Sequence, residues 1–161
     1  MPYFLKIDGV IGGSTDAKHK GEIEIESFSF GVTHETAAAP GGGGAGAGRP
    51  RFEPLNVAAP FSSAGPRLLQ ACATGEHLRS AVLTGSTAGG KGAFEFLRLT
   101  LSDVLVSSYR SAAEAGAAVI PSDQISLTYS KLQIEHRAQS PSGAAGGSAV
   151  FGFDVAANQK F

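Results

Sequence analysis

The sequence predicts an all-β domain with one short α-helix, and three observations carry that expectation. Alternating apolar and polar residues recur along most of the 161-residue chain, the period-2 signature of half-buried strands. Twenty-two glycines and eight prolines, with no tryptophan and a single methionine, suit many turns and short strands better than long helices. Within the strand-like runs the apolar parity switches repeatedly, as a sheet requires if it bends into a small β-barrel and turns its corners at bulges.

Residues 1–8 read as the first strand, and residues 9–15 as a glycine-rich turn. The stretch that organises the rest runs from Asp16 to Gly31, a polar turn leading into a strand over about 22–32. Ile23 and Ile25 share one parity and Phe28 and Phe30 the other, so the apolar face changes sides between Glu26 and Phe28. Either a bulge at Ser27 realigns the strand, or its two halves bury opposite faces and need two packing partners, one of which can be another subunit. Residues 33–50 form a long loop. Positions 37–48 hold only Gly, Ala and Pro and cannot keep a compact shape alone, so the loop is expected to order against a neighbouring molecule.

Residues 51–57 make a short strand that Pro54 confines to an edge or a bulge. A helix follows over about 66–74: Pro66 suits its first turn, Leu68, Leu69 and Cys72 fall at helical spacing, and Gly75 stops it. Three long strand-like runs then cover 77–83, 93–109 and 124–137, and 149–155 closes the domain. In the second run Leu97, Leu99 and Leu101 give way to Val104 and Val106 of opposite parity. In the third the parity flips once, around Ser130. The loops at 112–122 and 140–148 are surface connections rich in Gly, Ala and Ser.

A chain of this length with 42% hydrophobic residues suits one domain spanning 1–161. Thirteen Lys and Arg against 14 Asp and Glu leave no bias towards phosphate, so nucleic acid is not an expected partner. The lone Cys72 leaves no intramolecular disulfide and no paired thiolates for zinc. Lys6 and Asp8 interrupt the first apolar run, so no secretory signal is read there, and no run is long enough to cross a bilayer. Synthesis in the cytoplasm, without membrane insertion, is the expectation.

No catalytic, cofactor or metal site emerges. The segment 85–92 matches a phosphate-cradling G-x-x-x-x-G-K up to its last position, where Gly92 replaces the magnesium-binding hydroxyl. A strand-like run follows it instead of a helix, so a hairpin loop between antiparallel strands is the better reading. His19, His34, His77 and His136 are scattered without metal-ligand spacing, and no serine lies in a G-x-S-x-G elbow. Glu22, Glu24 and Glu26 share one strand face, which suits solvent or the wall of an aqueous space.

Taken together, these residues resemble the Hcp (haemolysin-coregulated protein) family of type VI secretion tube subunits. The resemblance rests on the opening run from Phe4 to Gly9, on Asp16, His19, Ile23, Ser27, Phe28, Phe30 and Gly31, and on the approach to the helix at 62–75. It continues through the strands at 99–108 and 125–132 and the closing Gly152, Phe153 and Asp154. It implies a compact β-barrel of two packed antiparallel sheets, phage-tail-tube-like, forming homo-hexameric rings that stack into a hollow tube. It also implies partners in the secretion sheath, spike and effector proteins, export through the type VI apparatus, no enzymatic activity and no cofactor. The loop, with Thr36, Arg49 and Arg51, is expected to contact adjacent subunits. The rivals are a tube protein of another contractile phage-tail-like particle, a stand-alone β-barrel binding protein, and an enzyme.

Overall fold

The computed structural model describes residues 1–35, 48–87, 92–116, 119–139 and 145–161. The chain runs β1 (Tyr3–Ile7), β2 (Ile23–Ile25), β3 (Ser27–Ser29), β4 (Val32–His34), β5 (Pro50–Phe52), β6 (Leu55–Pro60), α1 (Ala64–Thr74), β7 (His77–Ser86), β8 (Glu95–Ala112), β9 (Ser122–Thr128), β10 (Lys131–Gln139), β11 (Ala145–Asp154) and β12 (Gln159–Lys160). The expectation of a strand-built chain with one short helix is met, and the strand pairings are antiparallel.

The architecture is built on β8, which belongs to two sheets at once. Along one edge it pairs with β7 from Glu95 to Leu105. Along the other it pairs with β10 at Leu97–Ser102 and then with β9 at Leu105–Ala112. One sheet therefore has the order β12-β11-β10-β8-β7-β1-β2, and the second leaves β8 through β9 to β6 and β3. Where β8 changes partner, Asp103 adopts a left-handed backbone with φ of 52°, a conformation that Asp tolerates better than most residues. Its carboxylate accepts hydrogen bonds from Ser130 Oγ at 2.8 Å and His77 Nδ1 at 3.0 Å. Those two bonds, the Ser130 one first, hold the Asp103 carboxyl below the usual carboxylate range. Ser130 N donates to Ser102 O at 3.0 Å, at the turn between β9 and β10. Both parity breaks read from the sequence, after Leu101 and at Ser130, are thus one corner.

The organising strand makes the matching corner on the far side. It is split into three short strands: β2 pairs with β1 and β3 with β6, and between them Glu26 N donates to Ala58 O at 2.8 Å. Ile23 and Ile25 are buried in the core, and Phe28 and Phe30 pack against that same core. The parity change is a turn from one sheet to the other around a shared interior, so the opposite-face alternative and its second packing partner are not needed. Leu5, Leu55, Leu83, Leu99, Leu101 and Leu127 are fully enclosed there, each contributing about 1.5–3 kcal/mol relative to exposure.

Helix α1 covers the core with Ala64, Gly65, Leu68 and Ala71. It starts at Ala64, two residues earlier than expected, after an N-cap at Ser63, with Ser62 Oγ accepting from Ala64 N at 3.3 Å, and it stops as expected at Gly75, whose φ is 65°. Leu69 points away and is 55% exposed, so the buried stripe is not the Leu68, Leu69 and Cys72 set. Pro54 falls in the break between β5 and β6; β5 is an edge strand, but β6 lies inside its sheet between β3 and β9. The 124–137 run is two strands, β11 begins at Ala145, and the two-residue β12 was not foreseen. The 85–92 segment joins antiparallel β7 and β8: Thr87 N donates to Phe94 O at 2.8 Å and strand follows. Lys91 of that segment lies outside the described residues.

Candidate functional site

The second sheet, made of β3, β6, β9 and the C-terminal half of β8, has two unlike faces. Val57, Ile125 and Leu127 point into the core. The register sets two rows on the other face: Ser29, Asn56, Ser126 and Ser108 in one, Ser27, Ala58, Gln124 and Arg110 in the next. Apart from Ala58 these side chains are polar, most are exposed, and Arg110 is the one charge among them. Ser126 Oγ donates to Asn56 Oδ1 at 2.6 Å, and Ser107 Oγ to Ser126 O at 3.2 Å, so the hydroxyls and amides bond along the wall. No imidazole or carboxylate stands in either row to activate a serine. The surface can offer hydrogen bonds to water or a passing chain, and little else.

Among the described residues the same sheet has an unpaired edge on each side. β3 pairs with β6 alone, and β8 beyond Leu105 pairs with β9 alone, because β7 begins at His77 opposite Leu105. Short unpaired edges are sites where another strand can add. Beneath the sheet Asp123, 2% exposed, accepts from Tyr109 Oη at 2.9 Å. Burial first, and then the Asp123 bond, push the Tyr109 phenol up to about 12.

A second concavity, about 670 Å³, lies over the outer face of β1, β7 and β8 and includes Lys6, Lys18, His19, Glu22, Thr84 and Arg98. Its charges are mostly engaged: His19 Nδ1 contacts Glu22 Oε2, Arg98 Nε donates to Glu95 Oε1 at 2.8 Å, and Lys18 Nζ donates to Ala93 O at 3.1 Å. Among the described residues no group of three or more His, Cys, Asp or Glu could hold a metal ion, and no helix is long and apolar enough to cross a membrane.

A family model described as "Type VI secretion system effector, Hcp" matches residues 4–136. The chain belongs to the Hcp family. It is 33% identical over 156 residues to Protein hcp1 of Pseudomonas aeruginosa, covering 96% of this chain and 95% of that one. Among solved structures it is similar to a type six secretion system protein, with a TM-score of 0.90 at 29% identity and 99% of both chains covered. It is also similar to Hcp1 from Salmonella typhimurium, with a TM-score of 0.83 at 28% identity, covering 99% of this chain and 98% of that one.

In this Hcp-family chain the motif residues are spread over the fold and do not form one site. Asp16 and His19 shape the turn laid over β1: Asp16 Oδ1 accepts from Lys18 N at 2.9 Å, and the His19 ring stacks on Phe4 at 4.2 Å. That stacking covers Phe4, whose ring is buried on the side of β1 away from the core. Ile23 is 3% exposed in the core, and Phe28 meets Tyr3 edge-on at 5.0 Å and Phe30 at 6.3 Å. Gly31 O accepts from Glu53 N at 2.9 Å as the chain enters β4, and Ser27 stands in the polar row. Gly152 lies under the Phe161 ring, where an added Cβ would come within 2.6 Å of a ring carbon. Phe153 packs on Phe52 at 5.1 Å, and Asp154 Oδ1 accepts from Ala157 N at 2.9 Å.

Of the loop residues, Arg49 is exposed, Arg51 faces Glu35 across 3.4 Å at an exposed pair, and Thr36 lies outside the described residues. Sequence reasoning missed Asn56, Ser108, Arg110, Gln124 and Ser126 as members of one wall. Alternation marks each as outward on its own strand, but only the register aligns them in rows. Glu24 and Glu26, read as facing solvent or an aqueous space, are exposed at the other corner.

Proposed function

We propose that this Hcp-family chain is a structural, non-catalytic subunit that joins head to tail into six-membered rings. These stack into the inner tube of a type VI secretion apparatus, leave the cell through it, and carry or chaperone small effector proteins in the bore. The observation that carries the reading is the polar sheet, which among the described residues has an unpaired edge at each side. Two different edges on one subunit give a heterologous contact, and a heterologous contact repeated about a closing rotation makes a ring with no edge left over. The polar rows then form the bore, where hydroxyl and amide groups hydrogen-bond water and passing polypeptide without an apolar surface to hold it. Sheath and spike proteins are the expected neighbours of the tube, and Thr36, Arg49 and Arg51 belong to a segment proposed to reach the adjacent ring. Negative-stain imaging of the purified chain tests the reading: six-membered rings support it, and fields of single particles at every concentration contradict it.

A further inference from the structure

We propose that the inward face of β10 and β11 is the seat of a neighbouring copy of this chain, an inference that rests on the ring reading and adds the surface that seals it. Cross-strand partners share a sheet face, and the register carries the core outward in rows. One row is Ala81, Leu101, Leu132 and Phe153; the next is Leu83, Leu99, Ile134 and Phe151. Along the second row Leu83 and Leu99 are 0% exposed, Ile134 is half-buried and Phe151 is 48% exposed. The apolar face of the sheet therefore continues past the part that the chain's own second sheet covers.

The described part of the β4–β5 hairpin covers one end of this overhang. Phe52 on β5 packs against Phe153 at 5.1 Å and Tyr129 at 6.5 Å. Phe151 lies one pair further out, 6.4 Å from Phe153, and Val32 on the hairpin is itself 54% exposed. The apolar row thus ends in an aromatic ring that the chain itself leaves half open. The occupant follows from continuity. Residues 30 and 31 join β3 directly to β4, and Pro54 with Glu53 joins β5 to β6, so the hairpin below the overhang is a prolongation of the strand whose edge is unpaired. A copy that pairs along β3 is carried by the same hairpin towards Phe151, and every subunit of a closed ring then covers the Phe151 of the next. The back of β11 behaves otherwise: Gly152 is covered by the chain's own Phe161, and Val150 stands alone at 54% exposure.

The chain has no tryptophan, so Phe151→Trp places a single indole at this face and Val150→Trp places one on the opposite face of the same strand. Fluorescence and light scattering are followed together as full-length protein is concentrated. The Phe151→Trp emission is expected to move to the blue as mass rises, while Val150→Trp keeps the emission of an indole in water. Phe151→Glu is expected to abolish the rise in mass with an unchanged far-UV spectrum. A ring-sized mass with the Phe151→Trp emission still water-like, or Phe151→Glu rings as abundant as wild type, overturns the surface and leaves the ring reading standing. A wild-type chain that never gains mass overturns both.

Discussion

Removal of one phenol hydroxyl under the polar sheet gives a sharp test of how this domain is held together. Asp123 is 2% exposed, its Oδ1 has no hydrogen-bond partner, and its Oδ2 is bonded by Tyr109 Oη at 2.9 Å. Tyr109→Phe keeps the ring and takes away that donor, so a buried carboxyl loses its stated partner. Hydrogen bonds to charged groups contribute about 1.5–3 kcal/mol, which in a domain of this size lowers Tm by about 3–12 °C. Urea melts by circular dichroism at neutral pH and low protein concentration read the loss directly. Adding Asp123→Leu to Tyr109→Phe removes the stranded acceptor and is expected to recover part of the stability, a coupling that the double-mutant cycle measures. A Tyr109→Phe variant within about 0.5 kcal/mol of wild type, the scatter of neutral substitutions, would refute the assignment of Tyr109 as the group that satisfies Asp123.

Two further outcomes follow from the same structure. Tyr109 and Tyr129 are both pushed up to about 12, Tyr109 by burial and then Asp123, Tyr129 by burial and then the Glu53 charge. A phenol whose folded pKa exceeds its unfolded value near 10 adds stability that is complete below pH 10 and is lost between about pH 10 and 12; the alkaline fall in Tm is expected to shrink in Tyr109→Phe, and an identical fall in both proteins would contradict it. Ile125, 2% exposed and opposite Val57 and Tyr109, is expected to cost about 2–5 kcal/mol as Ile125→Ala, whereas Ser126→Ala, on the polar face of the same strand, is expected to change the urea midpoint little.

Much of the fold was legible because each strand's alternation is local. The breaks after Leu101 and at Ser130 announced a corner from parity alone, and Asp103 with Ser130 forms it. What the breaks could not say is whether a strand turns between two sheets or buries opposite faces. Ile23 and Phe28 differ in parity under either arrangement, and only the pairing of β2 with β1 and β3 with β6 decides. The helix end was visible in Gly75, but its start was not: the helix begins at Ala64, two residues before Pro66, after an N-cap at Ser63 that makes no side-chain cap hydrogen bond. The polar wall was the least legible feature. Ser108 and Ser29 are far apart in sequence and meet in one row only through Asn56 and Ser126, a non-local register that no single strand encodes.

Amide hydrogen exchange on dilute and concentrated protein tests the central claim most directly, since ring closure must pair the two open edges of the polar sheet. The account predicts that amides in 107–112 and 27–29 slow together as the mass rises to that of a ring, while those at the enclosed Leu99, in the fully paired part of β8, and at Leu127 stay as they were. Rings whose two edge segments exchange as fast as in the monomer would contradict it.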